Sequence, residues 1–109
     1  MADNFYTPEG IKGLRKLRDL RPGLFKAFTE FDSKVFEEGA LPVKTKELIA
    51  IAAAHITQCP YCIDTHVKRA KSAGATDEEV AESVFVAMAL AAGGAFAHSS
   101  IAMHSIAHD

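Results

Sequence analysis

Residues 47–66 read ELIAIAAAHITQCPYCIDTH: one acid, an apolar run, then two cysteines and a histidine spaced C-x2-C-x3-H. Leu48 to Ala54 carries no polar side chain, and its Ala and Leu content favours helix. A helix is predicted over Val43 to Thr57, apolar almost all round beyond Glu47, and such a helix must be covered on every side. Pro60 suits the first position of the next helix, predicted to end near Gly74 with Lys68, Arg69, Lys71 and Ser72 on a wet face. At about 100° per residue, Cys59, Cys62 and His66 fall on one face of that helix.

Outward from this stretch the pattern stays helical. Strand signals are nearly absent, so the chain reads as all-α, one domain over 1–109 built as a bundle of about six helices. A first helix is predicted from Thr7 or Pro8 to Leu20, broken by Arg21-Pro22-Gly23. A second is predicted from Pro22 to Glu38, with Leu24, Phe25, Phe28, Phe31, Val35 and Phe36 as its apolar positions and Gly39 as its C-terminal cap. Five of the seven phenylalanines, Phe5 among them, lie in this N-terminal third, where packing is their expected role. Further on, Thr76 and Glu79 spell a capping box that opens a helix to about Ala91. Gly93-Gly94 then predicts a break, and a last helix from about Ala95 to Ala107 carries His98, His104 and His108.

Composition narrows the functional classes. A formal net charge of −2 offers no basic surface for a phosphate backbone, so nucleic acid is not expected as a partner. MADNFYTPEG shows no basic-then-apolar leader, and two cysteines three apart are not a secreted disulfide framework; a cytoplasmic setting with reduced thiols is expected. The longest run without polar side chains, Val84 to Ala97, is below the roughly 18 residues of a membrane span, so no membrane partner is expected. The apolar helices of residues 43–57 and 84–107 are more than one small chain can hide, which predicts a homo-oligomer.

A free thiol is only about 3% ionised at neutral pH, and the thiolate is the nucleophile. Cys59, at or just before a helix N-terminus, and Cys62, in its first turn, share a field that favours an anion. His66 lies four residues beyond Cys62 on the same face. Either cysteine can attack and the other resolve, because the C-x2-C loop keeps the two within reach of a disulfide. Glu47 is the one acid between Glu38 and Asp64, aligned on its helix with Ile51, Ala54 and Gln58; it reads as a general base for the thiols or as a solvated first-turn acid. Two cysteines and one histidine on a single helical stretch are a poor structural zinc site, and no metal or organic cofactor is expected. His104 and His108, four apart, read as ordinary residues near a helix C-terminus. His55 and His98 read as satisfied core histidines or as lining of the thiol cleft.

The stretch ELIAIAAAHITQCPYCIDTHVKRAKSAGATDEEVAESV resembles the AhpD-like branch of the carboxymuconolactone decarboxylase family, over roughly Leu41 to Ala107. The specific part is E-x11-C-x2-C-x3-H, met by Glu47, Cys59, Cys62 and His66, followed by the Gly-Ala-Thr entry to the next helix. The resemblance implies an all-helical fold assembled as a trimer or hexamer and an alkylhydroperoxidase-type activity fed by a dithiol reductant. It further implies that Cys62 attacks the peroxide and Cys59 resolves it as a disulfide, with Glu47 and His66 as a proton relay. Pro60-Tyr61 stand where some peroxidases of this type carry an additional histidine. A redox-sensing oligomer without turnover, and a metal-binding oligomer, are the other classes this constellation serves.

Overall fold

The structure, a computed structural model, describes residues 7–108. Phe5 therefore lies outside the described residues. A 3₁₀ segment at Pro8–Gly13 leads into α1 (Leu14–Leu20), followed by α2 (Pro22–Val35), α3 (Val43–Thr57), α4 (Pro60–Ser72) and α5 (Asp77–Ala107). The all-α expectation holds, with five α-helices.

The core sits where α3 meets α4 and α5. Ile51 on α3, Ala70 on α4 and Ala75 between α4 and α5 form its buried centre, with Leu48, Val67, Val80 and Val84 packed against them. On α3 the buried residues are Glu47, Ile51 and Ala54, one stripe at i, i+4 and i+7. Small residues at two of the three core centres allow the helices to approach closely. The turn into α5 is tied twice: Lys71 Nζ lies 2.6 Å from the Asp77 carboxylate, and Lys44 Nζ lies 3.1 Å from that of Glu79. Glu79 also closes the predicted capping box, its carboxylate accepting from the Thr76 amide at 2.9 Å while its own amide donates to Thr76 Oγ1 at 3.1 Å.

Several boundaries differ from expectation. The predicted first helix divides into the 3₁₀ segment and α1. α2 stops at Val35 rather than Glu38, and Gly39 does not cap it; Lys46 Nζ reaches across from α3 and donates to the Val35 carbonyl at 2.7 Å and to that of Glu37. A side-chain cation thus does for the end of α2 what a glycine turn does elsewhere. α5 runs unbroken through Gly93-Gly94 for 31 residues. Each glycine costs about 1 kcal/mol against alanine in a helix, too little to stop one flanked by Ala91, Ala92 and Ala95 and containing no proline.

Much apolar surface remains open. Leu24, Phe28 and Phe31 on α2, and Phe85, Leu90, Phe96 and Ile106 on α5, are each more than 60% exposed. α1 and α2 pack chiefly on each other as an arm, and the radius of gyration is 18.2 Å, against about 13 Å for a compact domain of this length. The apolar run does end at His98 as expected, yet as one continuous helix α5 is long and apolar enough to cross a membrane by length and composition.

The capping box carries a direct expectation. Thr76→Ala removes the N-cap acceptor and should lower the unfolding free energy by about 1 kcal/mol, measured by chemical denaturation. The Glu79 carboxyl is held below its ordinary value by its bonds to Thr76 and Lys44. What it contributes is therefore present above the normal glutamate range and is lost as acid protonates it.

Candidate functional site

A tight corner between α3 and α4 builds the thiol pair. Gln58 takes the left-handed conformation (φ 58°, ψ 48°), and the amides of both Gln58 and Cys59 reach back to the Ala54 carbonyl. That closes α3, so Cys59 is free to serve as N-cap of α4, ahead of Pro60 at its first position. The Cys59 sulfur accepts the Cys62 amide N–H at 3.2 Å. Both cysteines are free thiols, half-buried.

The sequence argument expects the helix terminus to acidify both thiols. For Cys62 the structure reverses this: its thiol is pushed up to about 11 from an ordinary 9.0. The first cause is its hydrogen bond with the Cys59 side chain, the next is burial, and the negative charges of Cys59 and Asp32 add to them. The cap position belongs to Cys59, whereas Cys62 lies behind it, bonded to the Cys59 side chain and in the field of the Asp32 carboxylate. At neutral pH Cys62 in the reduced pair keeps its proton.

Glu47 is 2% exposed, the one buried charged side chain among the described residues. Its Oε1 lies 2.6 Å from His66 Nδ1, across the α3–α4 contact. Phe36, at the end of α2, stacks on the imidazole with ring centroids 5.0 Å apart and planes 25° from parallel. With Nδ1 occupied by the carboxylate and one ring face covered, Nε2 is the nitrogen left for chemistry.

A cleft of about 500 Å³ opens onto Cys62 and His66, walled mostly by apolar residues of α2 and α3 such as Val35, Phe36 and Ile49. Asp32 and Lys46 supply its other charged groups. Glu47 does not line this cleft; it borders a separate depression with Arg69 and Ser72, so it reaches the thiols only through His66. The four sequence-predicted residues are thus gathered as two contacting pairs, Cys59 with Cys62 and Glu47 with His66, joined at the cleft by Cys62 and His66.

The other histidines stand apart. His55 Nδ1 lies 2.7 Å from the Ile51 carbonyl, and the residue borders a depression with Gln58, Leu90 and Gly94 rather than the thiol cleft. His98 is exposed on α5, neither core nor cleft. His104 and His108 stack on each other with centroids 4.1 Å apart at the end of α5. Among the described residues no three His, Cys, Asp or Glu side chains converge as a metal site. Sequence reasoning missed Phe36, Asp32 and Lys46 as members of the site. Their helical spacing announced packing and solvation, and only the placement of α2 over α3 brings them to the cysteines.

Comparison with known proteins agrees with this architecture. An uncharacterised protein encoded in the cox locus of Paracoccus denitrificans is 49% identical over 103 residues, covering 94% of this chain and 92% of the relative. A crystal structure from Methanobacterium thermoautotrophicum superposes with a TM-score of 0.74 at 32% identity, covering 78% of this chain and 96% of the other. The apo form of a carboxymuconolactone decarboxylase family protein from Legionella pneumophila gives a TM-score of 0.71 at 37% identity, covering 77% and 75%. Residues 22–104 match the family model described by the same words, and they contain the thiol corner, the Glu47–His66 pair and the α2 wall of the cleft. The chain belongs to the carboxymuconolactone decarboxylase family.

Proposed function

We propose that the chain is a thiol-dependent hydroperoxide reductase of the AhpD-like branch, or a disulfide reductase using the same cysteine pair. The observation that carries this reading is the placement of Cys62 beside His66 on an apolar cleft, with the Cys59 sulfur in contact behind it. A thiol pushed up to about 11 needs a base, and the imidazole buttressed by the Glu47 carboxylate is that base. His66 takes the Cys62 proton and the thiolate attacks the terminal oxygen of the hydroperoxide. The S–O bond forms as the O–O bond breaks, and the departing alkoxide collects a proton from the imidazolium. Cys62 is left as a sulfenic acid. The Cys59 sulfur then attacks the Cys62 sulfur; the S–S bond forms, and hydroxide leaves as water with the proton that Cys59 gives up. A dithiol donor returns two electrons and two protons to restore both thiols. The apolar wall suits an organic hydroperoxide, and no step calls for a metal or organic cofactor.

The assembly we propose is a homo-oligomer, trimer or hexamer, in a reducing, cytoplasmic compartment. What supports it is the distribution of exposed apolar side chains over both the α1–α2 arm and α5. A bilayer taking up α5 would leave the arm bare, whereas further copies of the chain cover both. Light scattering at micromolar concentration should return a multiple of 11.7 kDa, and a monomer there would refute the assembly.

Three outcomes test the chemistry. Multiple turnovers of an organic hydroperoxide with a dithiol donor are expected, abolished in Cys62→Ser with the oligomer intact; unchanged peroxide consumption in that variant would end the mechanism. Oxidation of one equivalent that then stops would instead mark a redox sensor. Glu47→Gln should cut kcat by about 10²-fold or more by weakening the base. In Cys59→Ala the hydrogen bond and charge that hold the Cys62 proton are gone, so the pH midpoint for Cys62 thiolate formation, read by ultraviolet absorbance, should fall from about 11. A midpoint that stays or rises would show that Cys59 is not what holds that proton.

A further inference from the structure

Asp32 is placed oddly for a helix residue. It stands in the last turn of α2, where the macrodipole disfavours an acid, and it is half-buried against the apolar wall of the thiol cleft. Neither a salt bridge nor a side-chain hydrogen bond engages its carboxylate among the described residues. Lys46, the cation that shares the cleft, makes no ion pair with it: its Nζ donates to the Val35 and Glu37 carbonyls at the end of α2. Asp32 lies one helical turn before Phe36, the residue stacked on His66, so both project from the same face of α2 over the reacting groups. An unpaired carboxylate in that position disturbs helix and cleft alike, yet it places a negative charge on the wall of the cleft that Cys62 also lines.

We infer that Asp32 is a specificity-determining residue that makes the cleft discriminate by charge, admitting neutral molecules to Cys62 and repelling anionic ones. This rests on the proposed reductase reading for its substrate consequence: uncharged organic hydroperoxides are taken in preference to those bearing a carboxylate. The charge filter itself exists whether or not the chain turns over peroxide. It acts on whatever approaches the Cys62 sulfur.

Iodoacetamide and iodoacetate distinguish the two, because each forms the same S–C bond with loss of iodide and they differ by one negative charge. The reduced, full-length protein is alkylated at limiting reagent and the Cys62 peptide is quantified. The ratio of amide to acetate rates at Cys62 cancels any change in how far its thiol is ionised. In Asp32→Asn that ratio should fall about three- to tenfold, the effect of one charge on the wall of a partly solvated cleft, and the difference should shrink at high salt. Asp32→Lys should lower it further. Glu30→Gln, which removes the same charge from a separate face of α2, should leave it unchanged. An equal ratio in wild type and Asp32→Asn, or an equal fall in Glu30→Gln, would overturn the inference even if peroxide turnover is observed. Conversely, a ratio that shifts as stated in a protein without turnover would retain the filter and remove the reductase reading.

Discussion

One contact organises the centre of the molecule: the Glu47 carboxylate against His66 Nδ1 at 2.6 Å, between two helices and nearly out of water. A lone carboxylate on the stripe that also holds Ile51 and Ala54 would face a large desolvation cost, so α4 must present a partner at that height and at no other. Leaving either group without the other strands a buried charge or polar atom, worth about 3–5 kcal/mol in comparable pairs. A slide of one turn between α3 and α4 would separate Glu47 from His66 and disrupt the packing around Ile51 and Ala70 together. The pair therefore sets the register of the two helices as well as the orientation of the imidazole.

Because His66 is fixed from α3, the cysteines have to be fixed from the same helix pair, and the corner at Gln58 does this. Cys59 belongs to both elements: its amide helps close α3 through the Ala54 carbonyl, and its sulfur caps α4 through the Cys62 amide. The atom that the chemistry would join to Cys62 is thus also an atom that terminates a helix. A non-glycine residue in the left-handed region costs about 1–2 kcal/mol, and Gln58 bears it at the one point where the chain must turn from one half of the site to the other.

Legibility from sequence follows the range of the forces involved. Residues 43–57 and 60–72 were readable because proline, cap and stripe signals all act within a turn or two, and Thr76 with Glu79 is a wholly local device. Cys59, Cys62, His66 and Glu47 were readable as a set because helical spacing alone puts three of them on one face and aims the fourth toward the corner. Gly93-Gly94 misled because a weak local preference met a long, alanine-rich helix with a strong N-terminus. The end of α2 misled because its cap comes from Lys46, eleven residues past Val35. The Cys62 thiol misled because its proton is held first by the hydrogen bond with the Cys59 side chain and then by burial, with the charge of Asp32 on another helix adding last; the helix terminus alone announces none of these.

That second helix explains why the site and the open surface belong to one problem. α2 closes the cleft through its last turn, where Asp32, Val35 and Phe36 meet α3 and α4, while its first turns present Leu24 and Phe28 outward. Beyond its packing on α1, it is tied to the rest of the chain by the Lys46 clamp and by the Phe36–His66 stack just past its end, few contacts for a helix of 14 residues. Covering Leu24, Phe28 and Phe31 with another copy would add apolar burial at about 25 cal/mol per Å² to the same helix that walls the thiols. Such an assembly would couple to the shape of the cleft through α2: whatever held the outer face of that helix would also hold Phe36 on the imidazole and Asp32 on the cleft wall.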